Sequence, residues 1–195
     1  AWDMAKEMSE MDGIKVGMVI INDDVAVQDS LYTVGRRGVA GNFFVIKAVG
    51  AAAEKGASLE ELVALGQKVN SRVRTIGVAL SGCTPPAKGK PIFELAEDEI
   101  EFGVGIHGEP GRRRDKMRPA ADLVKEMFEA VAHDLPFKSG DRVALMINGL
   151  GGTPISELYI LYREAALLCK ENGFDVVLNY VGEYCTSLEM NGFSL

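Results

Sequence analysis

His107 is the residue of this sequence that is best placed to do chemistry. It lies within residues 102–111, where four glycines and a proline surround a single imidazole. Glycine allows positive φ angles and close approach to the backbone, so this run predicts a loop shaped to present a side chain. A histidine at neutral pH can act as a nucleophile, a base or a metal ligand. The alternative is an ordinary solvated loop histidine, and the run alone does not decide between the two.

Acidic residues upstream could position that imidazole. They are Glu97, Asp98, Glu99 and Glu101. Most of them are interpreted as solvated strand residues. One of them could accept the second imidazole N–H of His107 and so fix its tautomer, but the sequence does not say which one.

A second glycine-rich segment, residues 148–154, reads Asn-Gly-Leu-Gly-Gly-Thr-Pro and follows a strand pattern. Backbone amides at the start of the helix after it could receive an anion. The segment lacks the lysine of a P-loop and the spacing of a dinucleotide-binding fingerprint. We therefore interpret it as a tight strand-to-helix turn, with Thr153 as the helix cap and Pro154 at the first helical position.

Two further polar positions are interpreted structurally. Asn22, Asp23 and Asp24 offer oxygen ligands, but the glycine and the terminal glutamate of a calcium loop are missing. A strand-end turn or hydrogen bonding between lobes is predicted there instead. His133 lies at a predicted helix end, where the helix dipole favours a histidine, and no further role is assigned to it.

The charge balance argues against nucleic-acid binding. The 195 residues carry a net charge of −7 with a pI of about 5.0, whereas phosphate binding requires clustered Lys and Arg in excess. The basic cluster at residues 112–118 lies directly after the histidine run. We interpret it as a solvated turn, and the alternative is a local positive field for an anionic substrate or partner.

Cysteine and histidine usage excludes two further classes of site. Cys83, Cys169 and Cys185 are widely spaced and odd in number, so they predict no disulfide framework and suit a reducing cytoplasm. With two histidines in the chain, a conventional zinc site is not expected. No apolar run is long enough to span a membrane, and no signal-peptide pattern begins the sequence.

Strand and helix patterns alternate along the chain, beginning with a short amphipathic helix pattern. Residues 15–21 form an apolar run typical of a strand buried on both faces. A helix pattern then runs from the Gly-Arg-Arg-Gly motif at 35–38 to Ala53. Ser58 and Glu61 form a capping-box pattern that begins the next helix.

The second part of the chain continues this alternation. Strands are predicted at residues 75–80, 142–147 and 175–180. Helices are predicted at residues 119–135 and 154–171. The pattern predicts an α/β fold with two lobes, each with a parallel or mixed sheet flanked by helices. A loop rich in proline, glycine and lysine after Leu80 could join the lobes, which we place at 1–82 and 83–195.

Five motifs in this order carry a family resemblance. They are Asp23-Asp-Val-Ala-Val27 with Asp29-Ser30, Gly35-Arg-Arg-Gly-Val-Ala40, Gly103-Val-Gly-Ile-His-Gly-Glu-Pro-Gly111, Asn148-Gly-Leu-Gly-Gly-Thr-Pro154 and Tyr184-Cys-Thr-Ser-Leu-Glu-Met190. Together they resemble the K subunit, or K domain, of dihydroxyacetone (glycerone) kinases. The resemblance covers essentially all 195 residues, and it is specific because the motifs are long and correctly spaced.

The resemblance implies a catalytic role for His107. In that family the histidine of the Gly-Ile-His-Gly-Glu motif bonds covalently to the substrate ketone, so His107 would hold C2 of dihydroxyacetone as a hemiaminal. It implies that Gly105, Gly108 and Glu109 also contact the substrate. A terminal hydroxyl would then receive phosphate from a nucleotide on a partner, the L component. We therefore expect no cofactor or metal on this chain, and ADP or ATP with Mg on the L component.

The resemblance also implies what surrounds the chain. A cytoplasmic homodimer that works with the L component is expected, with no nucleic-acid or membrane partner. The family's acid/base pair, a histidine and an aspartate, lies in an N-terminal portion that would precede Ala1. We therefore expect residues 1–82 to be the remaining half of the N-terminal lobe, with exposed apolar surface. We also expect the isolated chain to be inactive in phosphoryl transfer.

Two alternatives stay open. One is a non-catalytic dihydroxyacetone sensor or coactivator, which would bind through His107 and signal to a transcription regulator. The other is a kinase subunit for another small ketose such as erythrulose. If the protein is an enzyme, the lack of a fused L domain favours an L partner recharged by a phosphotransferase relay, with ATP as the other possible donor.

Overall fold

The computed structural model of the chain describes residues 2–27 and 35–195. Asp29 and Ser30 of the first motif lie outside them. The helices are α1 Trp2–Met11, α2 Gly41–Ala53, α3 Leu59–Asn70, α4 Ala120–Asp134 and α5 Ile155–Glu171. The strands are β1 Gly77–Ala79, β2 Glu99–Phe102, β3 Arg113–Lys116, β4 Arg142–Gly149, β5 Asp175–Gly182 and β6 Gly192–Ser194.

These six strands form one mixed sheet in the order β3-β2-β1-β6-β4-β5. β4 and β5 pair in parallel and are joined through α5, whereas the other neighbouring pairs in the described sheet are antiparallel. The arrangement confirms the predicted α/β class. β1 lies inside the sheet, between β2 and β6, so strands on both sides of residue 82 contribute to it. The division of the chain into 1–82 and 83–195 stays a prediction.

The main core lies between the sheet and the helices α4 and α5. Fully buried apolar side chains from all three interdigitate there and exclude water, which is the main source of stability in such a layer. They include Ile76, Ile100, Phe102, Val124, Met127, Ile147 and Leu158. This core holds β1 and β2 in place, and the histidine run begins directly after β2.

The helix boundaries follow local chemistry. α3 begins at the predicted capping box: the Ser58 hydroxyl accepts from the Glu61 amide at 3.3 Å, and the Glu61 carboxylate accepts from the Ser58 amide at 2.8 Å. Pro119 and Pro154 occupy the N-cap positions of α4 and α5, so each helix begins one residue later than predicted. The predicted cap at Thr153 is wrong, because its hydroxyl exchanges hydrogen bonds with the backbone of Gly192 instead.

The prediction of a buried strand at residues 15–21 is wrong. This segment has no strand partner among the described residues, and Met18 and Ile20 are exposed. It is nevertheless held against α3, where Asn70 donates to the Ile20 carbonyl at 2.9 Å and Val19 faces Gly66. An apolar run therefore indicates a segment that tends to be buried. It becomes a strand only where neighbouring strands are available to pair with it.

Two short strands differ from the sequence-based expectation. β3 lies in the basic cluster that we interpreted as a solvated turn, so that interpretation is wrong. The strand β6 was not predicted. Within the described ranges, no helix has the length and apolar character required to cross a bilayer. Large apolar side chains are exposed on α1 and the following segment, including Met8, Met11 and Ile14.

Candidate functional site

The histidine loop, residues 103–111, connects β2 to β3. Its base is closed by the Arg112 amide, which donates to the Phe102 carbonyl at 2.7 Å. Gly103 and Gly108 have φ angles of +84° and +79°, where residues with a side chain are strained. Inside the loop, the Gly108 amide donates to the Gly105 carbonyl at 3.0 Å and forms a tight turn at whose tip His107 lies. The glycines thus shape the turn that carries the imidazole.

His107 is presented to solvent and held by Glu109. Its side chain is 83% exposed, whereas that of Glu109 is 23% exposed. Nδ1 of His107 lies 3.1 Å from Oε1 of Glu109, and the His107 amide donates to Oε2 of the same carboxylate at 3.0 Å. Because an ionised carboxylate only accepts hydrogen bonds, this contact favours the Nδ1–H tautomer. The lone pair of the neutral ring then lies on Nε2.

The carboxylate that orients His107 is therefore Glu109, and not one of the upstream acids that the sequence left open for this role. Glu101 is buried and instead accepts from the Gly111 amide at 2.7 Å, and Asp98 pairs with Lys116. Burial raises the pKa of Glu109, but hydrogen bonds from its own amide and from His107 outweigh burial, so the pKa lies below its usual value. Glu109 is thus kept ionised beside the ring.

Gly105 and Gly108, both predicted to contact the substrate, are close to other groups. A Cβ on Gly105 would lie 2.3 Å from Oε2 of Glu109 and 3.0 Å from Nη1 of Arg37. A Cβ on Gly108 would lie 1.8 Å from Cδ1 of Ile92. Their visible role is to let the loop approach these neighbours. Contact of either glycine with a substrate stays a prediction.

A cavity of about 350 Å³ adjoins His107. Its lining comprises Ile21, Gly38, Val39, Asn42, Ile106, His107, Cys185 and Thr186. This volume suits a small polar molecule, and the wall offers the imidazole, one amide, one hydroxyl and one thiol. The walls come from both sides of residue 82, so the cavity is formed by the tertiary structure.

Asn148 positions the wall that carries Cys185, a role that was not apparent from the sequence. Its side-chain oxygen accepts from the amides of Tyr184 and Cys185 at 2.9 and 2.7 Å, and its nitrogen donates to the Cys185 carbonyl at 2.8 Å. Burial raises the pKa of the Cys185 thiol, which keeps it neutral. The signal available in the sequence was an asparagine directly after an apolar strand pattern, because a polar side chain buried there must find hydrogen-bond partners.

The glycine-rich segment 148–154 forms no anion site. The amides of Leu150 and Gly152 are used by the carbonyls of Gly192 and Met190, and the Gly151 amide donates to Glu183. A Cβ on Gly151 would lie 1.6 Å from the Leu188 carbonyl oxygen. The segment is a packed strand-to-helix turn, as the sequence analysis predicted.

Asp23 and Asp24 are structural hydrogen-bonding groups, as predicted. Both are fully buried. Asp23 accepts from the amides of Val39 and Gly41 at 2.9 and 2.8 Å and so satisfies the first amide of α2. Asp24 accepts from Nε of Arg37 at 2.7 Å, and both residues of this ion pair are buried.

The basic cluster carries little free positive charge. Arg113 and Arg118 pair with Glu126, and Arg114 pairs with Glu101. Arg112 donates to the carbonyls of Val25 and Ala26. These partners neutralise or engage the cations, so the cluster stabilises β3 and its neighbours and offers a weak field to an anionic ligand.

A larger cavity, about 920 Å³, lies between the C-terminal ends of α3 and α4 and the strand β4. Its lining is mainly apolar, including Leu65, Phe128 and Phe174, and contains no residue of the histidine loop. By volume, this cavity would be the candidate site. We assign the site to the smaller cavity instead, because a potentially nucleophilic side chain, His107, lines it. Across the residues described here, no cluster of three or more His, Cys, Asp or Glu is arranged to hold a metal ion.

Comparison with protein families gives one match. The model of the Dak1 domain matches residues 1–195.

Comparison with curated proteins gives relatives at high identity. The chain is 50% identical over 194 residues to the dihydroxyacetone-binding subunit DhaK of the PTS-dependent dihydroxyacetone kinase 1 of Listeria innocua. It is 44% identical over 218 residues to DhaK of the PEP-dependent dihydroxyacetone kinase of Escherichia coli. It is also 38% identical over 194 residues to the D-erythrulose kinase of Mycolicibacterium smegmatis. All of this chain is matched in each case, but it spans 59%, 61% and 33% of the three relatives.

Two solved structures have the same fold. The dihydroxyacetone kinase operon co-activator Dha-DhaQ superposes with a TM-score of 0.89 at 33% identity, over 99% of this chain and 60% of that one. The dihydroxyacetone kinase of C. freundii in complex with AMP-PNP and Mg²⁺ superposes with a TM-score of 0.83 at 32% identity, over 98% of this chain and 35% of that one.

Proposed function

This chain belongs to the Dak1 domain family, and from that membership and the geometry of the histidine loop we propose that it holds dihydroxyacetone for a dihydroxyacetone kinase. His107 is the group that binds the ketone covalently. The observation that carries the proposal is the pairing of Nδ1 of His107 with Glu109 in a loop beside a small cavity whose wall includes the polar side chains of Asn42 and Thr186. The pairing leaves Nε2 as the nucleophilic nitrogen of an exposed ring.

The proposed bond is an addition to the carbonyl. The Nε2 lone pair attacks C2, the C=O π electrons move to oxygen, and that oxygen takes up a proton from water. The ring keeps its Nδ1–H and becomes positively charged beside the ionised carboxylate of Glu109. Glu109 thus stabilises the hemiaminal by a charge-assisted hydrogen bond. No group leaves, so the bond reverses when the oxygen returns its proton.

Such a bond would select ketones over polyols of similar shape. Glycerol offers hydroxyl groups but no electrophilic carbon, so it cannot form the adduct. A cavity that only hydrogen-bonds to hydroxyl groups discriminates less well between two such similar molecules. The remaining polar groups of the wall, on Asn42 and Thr186, would bind the terminal hydroxyl groups.

The adduct can be observed directly. The protein, expressed from its complete native gene, is mixed with dihydroxyacetone labelled with carbon-13 at C2, and intact mass and the C2 resonance are recorded. We expect a mass increase of one ketone and a tetrahedral resonance with the line width of the protein, both absent with glycerol. His107→Ala abolishes both signals, whereas the matched control His133→Ala, on the exposed face of α4, retains them. An adduct that survives His107→Ala would refute the proposal.

We propose further that the phosphoryl group comes from a partner. A nucleotide-bearing L component, with ADP or ATP and Mg²⁺, would deliver phosphate to a terminal hydroxyl of the tethered ketone. The structure of a related kinase with AMP-PNP and Mg²⁺ supports a nucleotide in the assembled enzyme. The isolated 195-residue chain would bind the ketone without phosphorylating it. Phosphate transfer by the isolated chain with an L component, at the rate of the full-length protein, would contradict this division of labour.

The family resemblance supports three further proposals. The protein works in the cytoplasm. It forms a homodimer, and residues 1–82 and 83–195 belong to different lobes. Light scattering of the full-length protein tests the dimer, because a monomeric mass at micromolar concentration would contradict it.

A specific observation favours a second function, that of a ligand sensor. The co-activator Dha-DhaQ superposes with the higher of the two TM-scores reported above. A sensor would form the same adduct but give no product when the L component and a phosphoryl donor are added. A kinase for a four-carbon ketose, suggested by the D-erythrulose kinase relative, would form more adduct with erythrulose than with dihydroxyacetone at equal concentration. Product formation and the ratio of the two adducts therefore separate the three functions.

A further inference from the structure

We propose that Arg37 and Asp24 form a positioning pair that holds the two ends of the histidine loop together and so fixes the direction of the His107 ring. This inference deepens the proposed function and rests on it for its functional readout. Neither residue touches the ring. Arg37 acts through the backbone of the loop, on residues that precede and follow His107, and Asp24 acts through Arg37.

The contacts of one guanidinium group carry the inference. Nη2 of Arg37 donates to the Gly103 carbonyl at 2.7 Å, and Nη1 donates to the Pro110 carbonyl at 3.1 Å. Gly103 begins the histidine loop, and Pro110 lies one residue before its end. Because the two nitrogens belong to one rigid plane, the distance between the two carbonyl oxygens is fixed by the geometry of the arginine.

The third side of the guanidinium is occupied by Asp24. Nε of Arg37 donates to Oδ2 of Asp24 at 2.7 Å, and Nη2 lies 2.6 Å from the same oxygen. Asp24 is itself fixed, because its second carboxylate oxygen accepts from the Ala26 amide at 2.8 Å. The pair is buried, so its geometry is not loosened by exchange with water. A buried arginine with three fixed acceptors has one orientation.

The packing around the pair leaves little freedom for the loop. A Cβ on Gly103 would lie 2.7 Å from that of Ala26, and the space above Gly105 is filled by Arg37 and Glu109. Arg37 and Glu109 thus lie on the same side of the turn that presents His107. A shift of the guanidinium would displace Gly105, Glu109 and the imidazole together.

Lysine at this position would keep the charge but lose the function. It would still neutralise Asp24, so the buried carboxylate would not be left unpaired. Its single ammonium group cannot reach both carbonyls in the fixed plane that a guanidinium offers. Arg37→Lys is therefore the informative substitution. The double variant Asp24→Asn with Arg37→Gln removes both charges and provides a second test if the lysine variant does not fold.

The chain provides a matched control in the neighbouring arginine. Arg36 pairs with Asp134 through two hydrogen bonds of 2.8 and 2.9 Å, and in the described part of the chain neither its hydrogen bonds nor its ion pair involve the histidine loop. Arg36→Lys changes the same residue type one position away. It therefore reports the general cost of replacing an ion-paired arginine in this segment.

The experiment combines two readouts on the full-length protein. The first is the association constant for formation of the carbon-13 dihydroxyacetone adduct, from a titration well below the unfolding temperature of each variant. The second is the tautomer of His107 in the ligand-free protein, from long-range proton–nitrogen NMR. A merely structural role would lower the unfolding temperature and leave both readouts unchanged in the folded protein.

We expect Arg37→Lys to lower adduct formation about tenfold and to reduce the Nδ1–H population, since small misplacements of a reacting group are costly. Arg36→Lys should stay within about twofold of the unmodified protein in adduct formation. If both readouts of Arg37→Lys, or of the double variant, match those of Arg36→Lys, the inference is wrong. If the unmodified protein forms no adduct, the proposed function fails, and the tautomer of the ligand-free variants still tests the positioning role.

Discussion

At the scale of single residues, the chemistry of the site depends on a contact between neighbours in sequence. His107 and Glu109 are two residues apart, and the turn between them brings Nδ1 within 3.1 Å of the carboxylate. The carboxylate does two things in the proposed mechanism. It selects the tautomer of the free ring, and it balances the positive charge of the alkylated ring.

Glu109→Gln removes the negative charge but keeps the size of the side chain. The two oxygens of Glu109 accept from Nδ1 and from the amide of His107, and glutamine offers one oxygen to these two donors, so the preference for the Nδ1–H tautomer is weakened as well. We expect the dissociation constant of the dihydroxyacetone adduct to rise about tenfold, the difference between a charge-assisted and a neutral hydrogen bond. Titration of the carbon-13 adduct measures it. Asp98→Asn, which removes an exposed partner of Lys116, is the control and should leave the constant unchanged. Equal constants for Glu109→Gln and the unmodified protein would exclude charge balance by Glu109.

Asp24 predicts a pH dependence of stability. Burial raises its pKa from 3.8 to about 6, against the opposing effect of Arg37. The folded protein thus keeps this proton to a higher pH than the unfolded chain. Its contribution to the free energy of unfolding is therefore greatest at pH values below 3.8, the pKa of the unfolded chain. The contribution falls, by about 3 kcal/mol, as the pH rises through the folded pKa of about 6.

Asp24→Asn removes this titration. The difference in free energy of unfolding between the unmodified protein and Asp24→Asn should decrease between pH values of about 4 and 6 and be constant above about 7. Urea unfolding at a series of pH values measures it. The comparison cancels other carboxylates, such as Asp134, whose pKa is lowered and whose effect has the opposite sign. A difference that increases over this interval would show that the carboxylate is stabilised by Arg37 more than burial destabilises it.

At the scale of elements, the turn that carries His107 depends on Gly108. Its φ of +79° strains any residue with a side chain, and a Cβ would also overlap Ile92. Gly89 has a similar φ of +61° and open space around its Cα. The two positions therefore share backbone strain and differ in packing.

We expect Gly89→Ala to cost about 1 kcal/mol of stability and to leave adduct formation unchanged. Gly108→Ala should cost a further 1–3 kcal/mol, roughly, for repacking against Ile92, and should lower adduct formation about tenfold because His107 is the adjacent residue. Thermal unfolding and the carbon-13 adduct measure the two effects. Similar values for both variants would mean that contact with Ile92 does not position the turn.

Local signals predicted the elements whose stability is local. The capping box of α3 needs four consecutive residues, and the glycines around His107 lie within nine, so both were visible in the sequence. β6 has three residues, and it depends on pairing with β1 and β4, which are distant in sequence. The apolar run at 15–21 gave a strand signal without a strand partner among the described residues. Pairing is a tertiary property that periodicity does not contain.

The same limit applies to the site. His107 could be located from its surroundings, and Glu109 from the motif, although its role as the orienting carboxylate required the structure. Arg37 is separated from Gly103 by 66 residues. Asn148 acts on Cys185 across 37 residues. Contacts of this length follow from the packing of the sheet and its loops, and a single sequence does not specify them.

At the scale of the whole molecule, three groups tie the first part of the chain to the second. Arg37 and Arg112 join residues 24–26 to the histidine loop. Asp134, at the end of α4, joins the second part of the chain to Arg36 and Arg74 of the first part. It accepts two hydrogen bonds from Arg36 and one from Arg74. A carboxylate at a helix C-terminus is disfavoured by the helix dipole, so the two arginines account for its place there.

Asp134→Asn tests whether this tie stabilises the molecule as a unit. The hydrogen bond with Arg36, followed by that with Arg74, lowers the pKa of Asp134. Its stabilising effect is thus present above the ordinary value of 3.8 and is lost as the pH falls through the lower folded value. We expect Asp134→Asn to lower the free energy of unfolding by about 1–3 kcal/mol at neutral pH, because two partly buried arginines lose their charged partner. The difference should shrink in acid.

Urea unfolding at neutral pH and near pH 3 measures the effect of Asp134→Asn. The control is Glu10→Gln, in the exposed Lys6 pair of α1, which should change little. If Asp134→Asn matches that control at neutral pH, the ion pairs do not hold the two parts together, and the apolar core and the loop contacts of Arg37 and Arg112 must do so.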